Sequence, residues 1–439
     1  MKKVITAIFL ISIRIAAFGQ SELLWDSVRI ESEGFVMQYT LLKDLDNDGI
    51  RDSAYLSVED STIVCRLSTQ NFTKMASKPI EILNFQSGVG DINNGFQFFN
   101  HWMRAGCENQ FRYNPQTKKM QLIGMNRYEF GNAMNDGSGE SSVNLLTGNY
   151  TGDWNYYDSE KDTLIKIPTI YANLNFGVIN LEDFSQDTYF DYSEKCAALY
   201  NSFRQLDSEQ APAFFRDENI QPFDMEHLDT INLQFVPISE DTFLKFKEKQ
   251  SHQPGSKYNF GPPANPSFSL ATQNEYYKFI GDSFGEEYRY VGYVPEISSY
   301  IISACKWVCT GCLLDNETDE KMQLPDSFDS GVLGLEISAS KKQMLMFSSY
   351  YGDDYAKVSS HRAEIIFMQI GEGKGFHKLV KPEICIITAF SIEDIIWIDN
   401  NSIALKVYDK YEEVWNDSHT HTYHEPVYQY LKAEIKTDK

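Results

Sequence analysis

The chain has 439 residues, carries a formal net charge of -23, and is 14 % aromatic with Phe and Tyr dominant. That length exceeds one ordinary core, so at least two domains are expected. So acidic a surface repels phosphate backbones and anionic lipid, which makes nucleic acid and membrane surfaces poor partners and cations and basic proteins better ones.

The first element in chain order is MKKVITAIFLISIRIAAFG. Lys2 and Lys3 precede an apolar run from Val4 to Ile13, and Ala17 and Gly19 are small residues at a cleavage point. The pattern reads as a secretory signal over residues 1–19 and predicts export to the periplasm or the cell exterior. Arg14 interrupts the run well short of the roughly 20 apolar residues that a span needs, so the mature chain is expected to have no membrane span. Two β domains should follow, over 20–205 and 206–439.

Residues 44 to 52, DLDNDGIRD, place aspartates at alternate positions, then a glycine, then a fourth aspartate. When the chain curls at Gly49, Asp44, Asp46 and Asp48 can converge on one point. The Ile50 carbonyl and Asp52 complete a shell of hard oxygens, the ligand set that Ca2+ prefers. Without an ion these charges repel one another. An EF-hand would need Glu at the twelfth position, where Tyr55 stands. The loop instead resembles the calcium loop of FG-GAP or VCBS-type repeats, with the motif D-x-D-x-D-G-x-x-D between strands. The resemblance implies ligand roles for Asp44, Asp46, Asp48, Ile50 and Asp52, and a secreted, propeller-like blade used in recognition. It covers about thirty residues; GVGDINNGFQFF around Asp91 is at most a degenerate second copy.

The stretch Arg127 to Asp158 combines Gly, Asn, Ser and aromatics, and reads as a loop in which Trp154, Tyr156 or Tyr157 could stack on sugar. Ser138 lacks the G-x-S-x-G elbow, and no Walker loop or H-E-x-x-H occurs. Acidic pairs such as Asp353 with Asp354 and Glu286 with Glu287 are expected at this composition and do not by themselves indicate a glycosidase. A helix is predicted over Ser193 to Leu206 with Cys196, Leu199, Tyr200, Phe203 and Leu206 on one face, and a shorter one after Ser239 as N-cap. Ser251 to Ser267, rich in proline and glycine, reads as loop.

In the second half, apolar strand, tight turn and apolar strand recur from Tyr290, Leu333 and Asp394, a blade-like spacing. The fold class predicted is therefore mostly β: antiparallel meanders, propeller-like or sandwich-like, with a few short helices. Cys305, Cys309 and Cys312 copy the spacing of an iron–sulphur motif but lie in a strand of an exported chain. A turn at Thr310 and Gly311 would instead let Cys309 and Cys312 form a disulfide; burial as free thiols is the alternative. His419, His421 and His424, with Asp417 or Glu425, could bind zinc or copper, or be exposed polar residues. The function expected is a non-catalytic, calcium-stabilised binding protein of the cell envelope, its partner a protein or glycan; the alternative is a secreted glycan hydrolase.

Overall fold

The computed structural model describes residues 40–206 continuously and, beyond them, residues 220, 222–223, 228–230, 233–251, 257–260, 267–281, 287–305, 309–325, 332–350, 361–373, 375–376, 380–415 and 422–435. The signal-like segment, Asp353, Asp354, Glu286, Asp417, His419 and His421 lie outside these residues.

The described chain is mostly β, and its sheets are antiparallel except at two joints. Strands β1 (Thr40–Lys43), β2 (Asp52–Ser57), β3 (Thr62–Arg66) and β4 (Lys74–Ala76) form a four-stranded meander. A long meander follows through β5 (Ser87–Ile92), β6 (Gly95–His101), β7 (Ala105–Asn114), β8 (Lys119–Glu129), β9 (Gly139–Asn144) and β10 (Asn149–Asp158). Strands β11 (Thr163–Lys166) and β12 (Thr169–Asn173) both pair with β10.

Helix α1 (Gln186–Gln205) comes next and buries Tyr192, Cys196, Leu199 and Phe203. It starts earlier than its apolar spacing suggests, because Ser185 caps it and Thr188 closes a capping box. That box uses Thr where Glu or Gln is the usual signal, and the first turns carry Asp, Thr and aromatics of modest helix propensity. Of the predicted face, Leu206 serves as the C-cap instead.

The second half opens with β13 (Asp229–Thr230), β14 (Phe235–Pro237) and α2 (Glu240–Ser251), whose N-cap Ser239 accepts the Thr242 N–H at 3.3 Å. Strand β15 (Lys257–Asn259) pairs with Gly334 to Glu336 inside the stretch expected to be all loop. Three residues between the prolines suffice for an edge strand, where one side of the ladder stays open. Strand β16 (Ser267–Ala271) then joins β12 in parallel and β17 (Tyr276–Ile280) pairs antiparallel with β16, completing a ten-stranded sheet. That sheet therefore crosses the division expected at residue 206.

The remaining strands are three meanders. The first is β18 (Glu287–Val294), β19 (Ser299–Cys305), β20 (Cys309–Asp315) and β21 (Lys321–Gln323); the second is β22 (Gly334–Ile337), β23 (Gln343–Ser349), β24 (Ala363–Ile370) and β25 (Val380–Thr388). The last is β26 (Ser391–Asp399), β27 (Ser402–Trp415) and β28 (Thr422–Glu434), with β14 closing its edge. The hairpins expected at Tyr290, Leu333 and Asp394 are β18–β19, β22–β23 and β26–β27.

One core unites the first meander, the inner face of the large sheet and α1, with Leu45, Leu56, Phe98, Phe111, Trp154 and Phe203 among its buried residues. No helix among the described residues is long and apolar enough to cross a membrane.

A candidate metal site and a groove on the large sheet

The acidic loop joins β1 to β2. Asn47 at φ 63° and Gly49 at φ 85° turn it back on itself, a conformation that Asn tolerates and Gly adopts freely. The Asp44 carboxylate accepts the N–H groups of Asp48 (3.2 Å) and Gly49 (2.9 Å), which closes the curl. Asp48 accepts the Ile50 N–H at 2.7 Å and the Ser68 hydroxyl at 2.7 Å. Asp46 accepts the Thr69 hydroxyl at 2.5 Å through Oδ2.

Carboxylate oxygens of Asp44, Asp46 and Asp48 thereby come within 4.8 Å of one another. Asp46 is 9 % exposed, and its Oδ1 is buried without a hydrogen-bond partner. An orphaned buried carboxylate oxygen is costly, and a cation is the partner that relieves it and the mutual repulsion together. The donor set is all hard oxygen, which suits Ca2+.

Of the other two predicted ligands, Asp52 lies at the base of the loop, 1 % exposed. Its Oδ2 accepts the Leu45 N–H and its Oδ1 the Ser68 N–H, both at 2.7 Å. Asp52 thus ties the loop to the turn at 68–70. The Ile50 side chain, which takes no part in the ligand role predicted for its carbonyl, is 54 % exposed. The degenerate second copy near Asp91 is a plain hairpin, β5–β6, in which Asp91 pairs with Lys43 at 2.7 Å.

The Arg127 to Asp158 stretch is not a loop but the end of β8, β9 and β10, with turns at 130–138 and 145–148. Trp154 is buried and donates its indole N–H to the Tyr150 hydroxyl at 2.9 Å, so it has no face for sugar. Tyr157 is tied to Asp162, and the Tyr156 ring lies 5.7 Å from the Arg204 guanidinium. Strand alternation explains the difference: aromatics two apart from a buried residue share its face.

The same alternation creates a site that composition did not reveal. Ser141 faces α1, bonding the Tyr192 hydroxyl at 2.9 Å, so Glu140 and Ser142 face the other way. Across the strands Tyr128, Glu140 and Asp153 stand in register, as do Glu108, Asn126, Ser142 and Thr151 in the next row. These residues line a cavity of about 490 Å3 on the outer face of the sheet. A neighbouring cavity of about 560 Å3 shares Tyr128, Glu140 and Asp153 and adds Phe130, Asn155 and Lys166. The two form one groove. Period-two polar alternation over β8 to β10 is the signal in the sequence, obscured by the glycines and asparagines of the turns between them.

The cysteines also differ from expectation. Cys312 is a buried free thiol whose pKa is pushed up to about 12 by burial. Cys305 is disulfide-bonded, and Cys309 is its register partner across the hairpin. Thr310 and Gly311 lie within β20, not at a turn. His424 is exposed on β28, opposite Glu413.

No protein-family model matches the chain, and no curated protein does. Among solved structures, it aligns over 91 % of its length with 88 % of the β-propeller domain of Myceliophteria thermophila Cps50 (Swd1), at 7 % identity and TM-score 0.22. It aligns over 92 % with 92 % of a eukaryotic initiation factor chain, at 9 % identity and TM-score 0.25. Against the tricorn protease the figures are 90 %, 35 % of that chain, 8 % and 0.25. Superpositions this loose say nothing of function, and the class rests on the chain's own sheets: a mostly β protein of antiparallel meanders.

Proposed function

We propose that the chain is an exported, calcium-stabilised recognition protein of the cell envelope that does no chemistry on what it binds. The observation that carries this is the buried, unpartnered Oδ1 of Asp46 inside three converging carboxylates. Asp44, Asp46 and Asp48 would hold the ion, with the Ile50 carbonyl and Asp52 completing the shell as in FG-GAP-type loops. Because the loop is bonded to the turn at 68–70 and Leu45 belongs to the core, the cation would brace the first meander against the large sheet. The signal-like segment at residues 1–19 supports export, an environment in which millimolar-affinity calcium modules occur.

On the open groove the hydrolase alternative has one carboxylate pair in register, Glu140 and Asp153. Glu140 is exposed, and Asp153 is held by Lys166 at 2.8 Å and Thr169 at 2.9 Å. Neither sits in the dry, apolar surroundings that make a carboxyl an acid catalyst, and Glu336, whose pKa burial does raise, is fully buried and held by Gln250 and Lys257, which supports binding over hydrolysis.

The test is calorimetric titration with Ca2+ and Mg2+, with thermal melts in calcium and in chelator. Calcium at a hundredfold over its dissociation constant adds about 2.7 kcal/mol to stability. For a cooperative unit of roughly 150–250 residues that raises Tm by about 5–10 °C. Asp46→Asn and Asp48→Asn should each reduce the rise. Identical melts in calcium and chelator would refute the site.

A further inference from the structure

We propose that the groove across β7 to β10 receives a basic, extended segment of a partner polypeptide, with Lys or Arg side chains seated against Glu108 and Glu140. This rests on the recognition reading above but not on the bound cation, since the groove lies on the face of the large sheet turned away from α1.

Charge is the first argument. Glu140 and Asp153 stand directly opposite each other, and like charges in register destabilise a sheet. Lys166 compensates Asp153 at 2.8 Å. Glu129, at the end of the groove, is held by Arg127 at 2.6 Å. Among the described residues Glu140 has no Lys or Arg partner, and Glu108 meets only the His101 ring, at 3.9 Å. The groove therefore presents two uncompensated carboxylates in a chain of net charge -23, a field that repels anionic polymers and draws basic ones.

Ring placement is the second. Phe99, His101, Tyr128 and Phe130 form a strip beside the acids, with neighbouring ring centroids 5.5, 5.7 and 5.7 Å apart. The Tyr128 ring takes the space above Gly106, where a Cβ would lie 2.5 Å from Cε1. Aromatic faces beside carboxylates suit an ammonium or guanidinium group. Asn126, Ser142 and Thr151 on the floor offer amide and hydroxyl groups to a peptide backbone. Toward β12 the same face is closed by Tyr171 stacked on Tyr290 at 3.9 Å. The open length spans three interstrand spacings, about 14 Å, which is room for about four extended residues.

The test is fluorescence anisotropy in excess calcium with dye-labelled hexalysine, hexaglutamate and an alternating Gly-Ser hexapeptide, with cellohexaose and chitohexaose as competitors. Hexalysine should bind, and binding should weaken with salt. The Glu108→Gln/Glu140→Gln double variant should bind it about tenfold more weakly, the loss of two ion contacts at the surface. Tyr128→Leu should weaken it independently, and the exposed control Glu412→Gln/Glu413→Gln should not. Equal loss in the control, no loss in the double variant, or displacement by a neutral oligosaccharide would overturn the proposal. If hexalysine fails to bind while calcium still raises Tm, this inference falls and the calcium reading stands; the opposite pattern does the reverse.

Discussion

Replacing Glu336 with Gln should flatten the loss of stability between pH 5 and pH 8. Glu336 on β22 is fully buried, accepts the Gln250 amide N–H at 2.8 Å and meets the Lys257 ammonium at 2.9 Å. Burial outweighs the attraction of Lys257 and pushes its pKa up to about 7 from 4.5. A folded value above the unfolded one means that stability is fully present below about pH 4.5 and is lost as pH rises through 7. Integrated over those two values, the loss between pH 5 and pH 8 is about 2.5 kcal/mol. Asp394 works oppositely: burial raises it, but Lys257 and Lys247 outweigh that and hold it below the usual range. Its contribution disappears only in acid, outside this window. Urea unfolding at fixed pH gives the measurement, with the wild-type minus Glu336→Gln difference cancelling every other titrating group. Trp397, whose indole N–H reaches the Glu336 carbonyl at 3.4 Å, is a local fluorescence probe. Parallel pH curves for the two proteins would refute the reasoning.

Two further outcomes are expected. Gly106→Ala should weaken hexalysine binding, because the new Cβ would meet the Tyr128 ring at 2.5 Å and lift it out of the strip; unchanged binding in the anisotropy assay would contradict the packing described. In denaturant without reductant five of the seven cysteines should react with a thiol reagent, and all seven after reduction; seven before reduction would exclude the disulfide at Cys305.

What the chain reveals on its own is local. The curl of DLDNDGIRD, the meander hairpins at Tyr290, Leu333 and Asp394, and the buried stripe of α1 all follow from spacing within a few residues, since turn chemistry and strand or helix period act at that range. Three of the five expected ligands, Asp44, Asp46 and Asp48, converge for the same reason. Asp52 also accepts the N–H of Ser68, sixteen residues away and brought near by β3, a contact that no local spacing encodes.

Tertiary structure decided everything that depends on which strands become neighbours. Trp154 is core because α1 covers its face of β10, while Asp153 beside it lines an open groove. The pairing of β12 with β16 carries one sheet across the expected domain division, and no periodicity encodes a parallel partner about a hundred residues distant. Glu108, Tyr128, Glu140 and Asp153 become one surface only through the register of four strands. Register is set by how two faces of the sheet divide between core and solvent, a property of the packed molecule and not of any one segment.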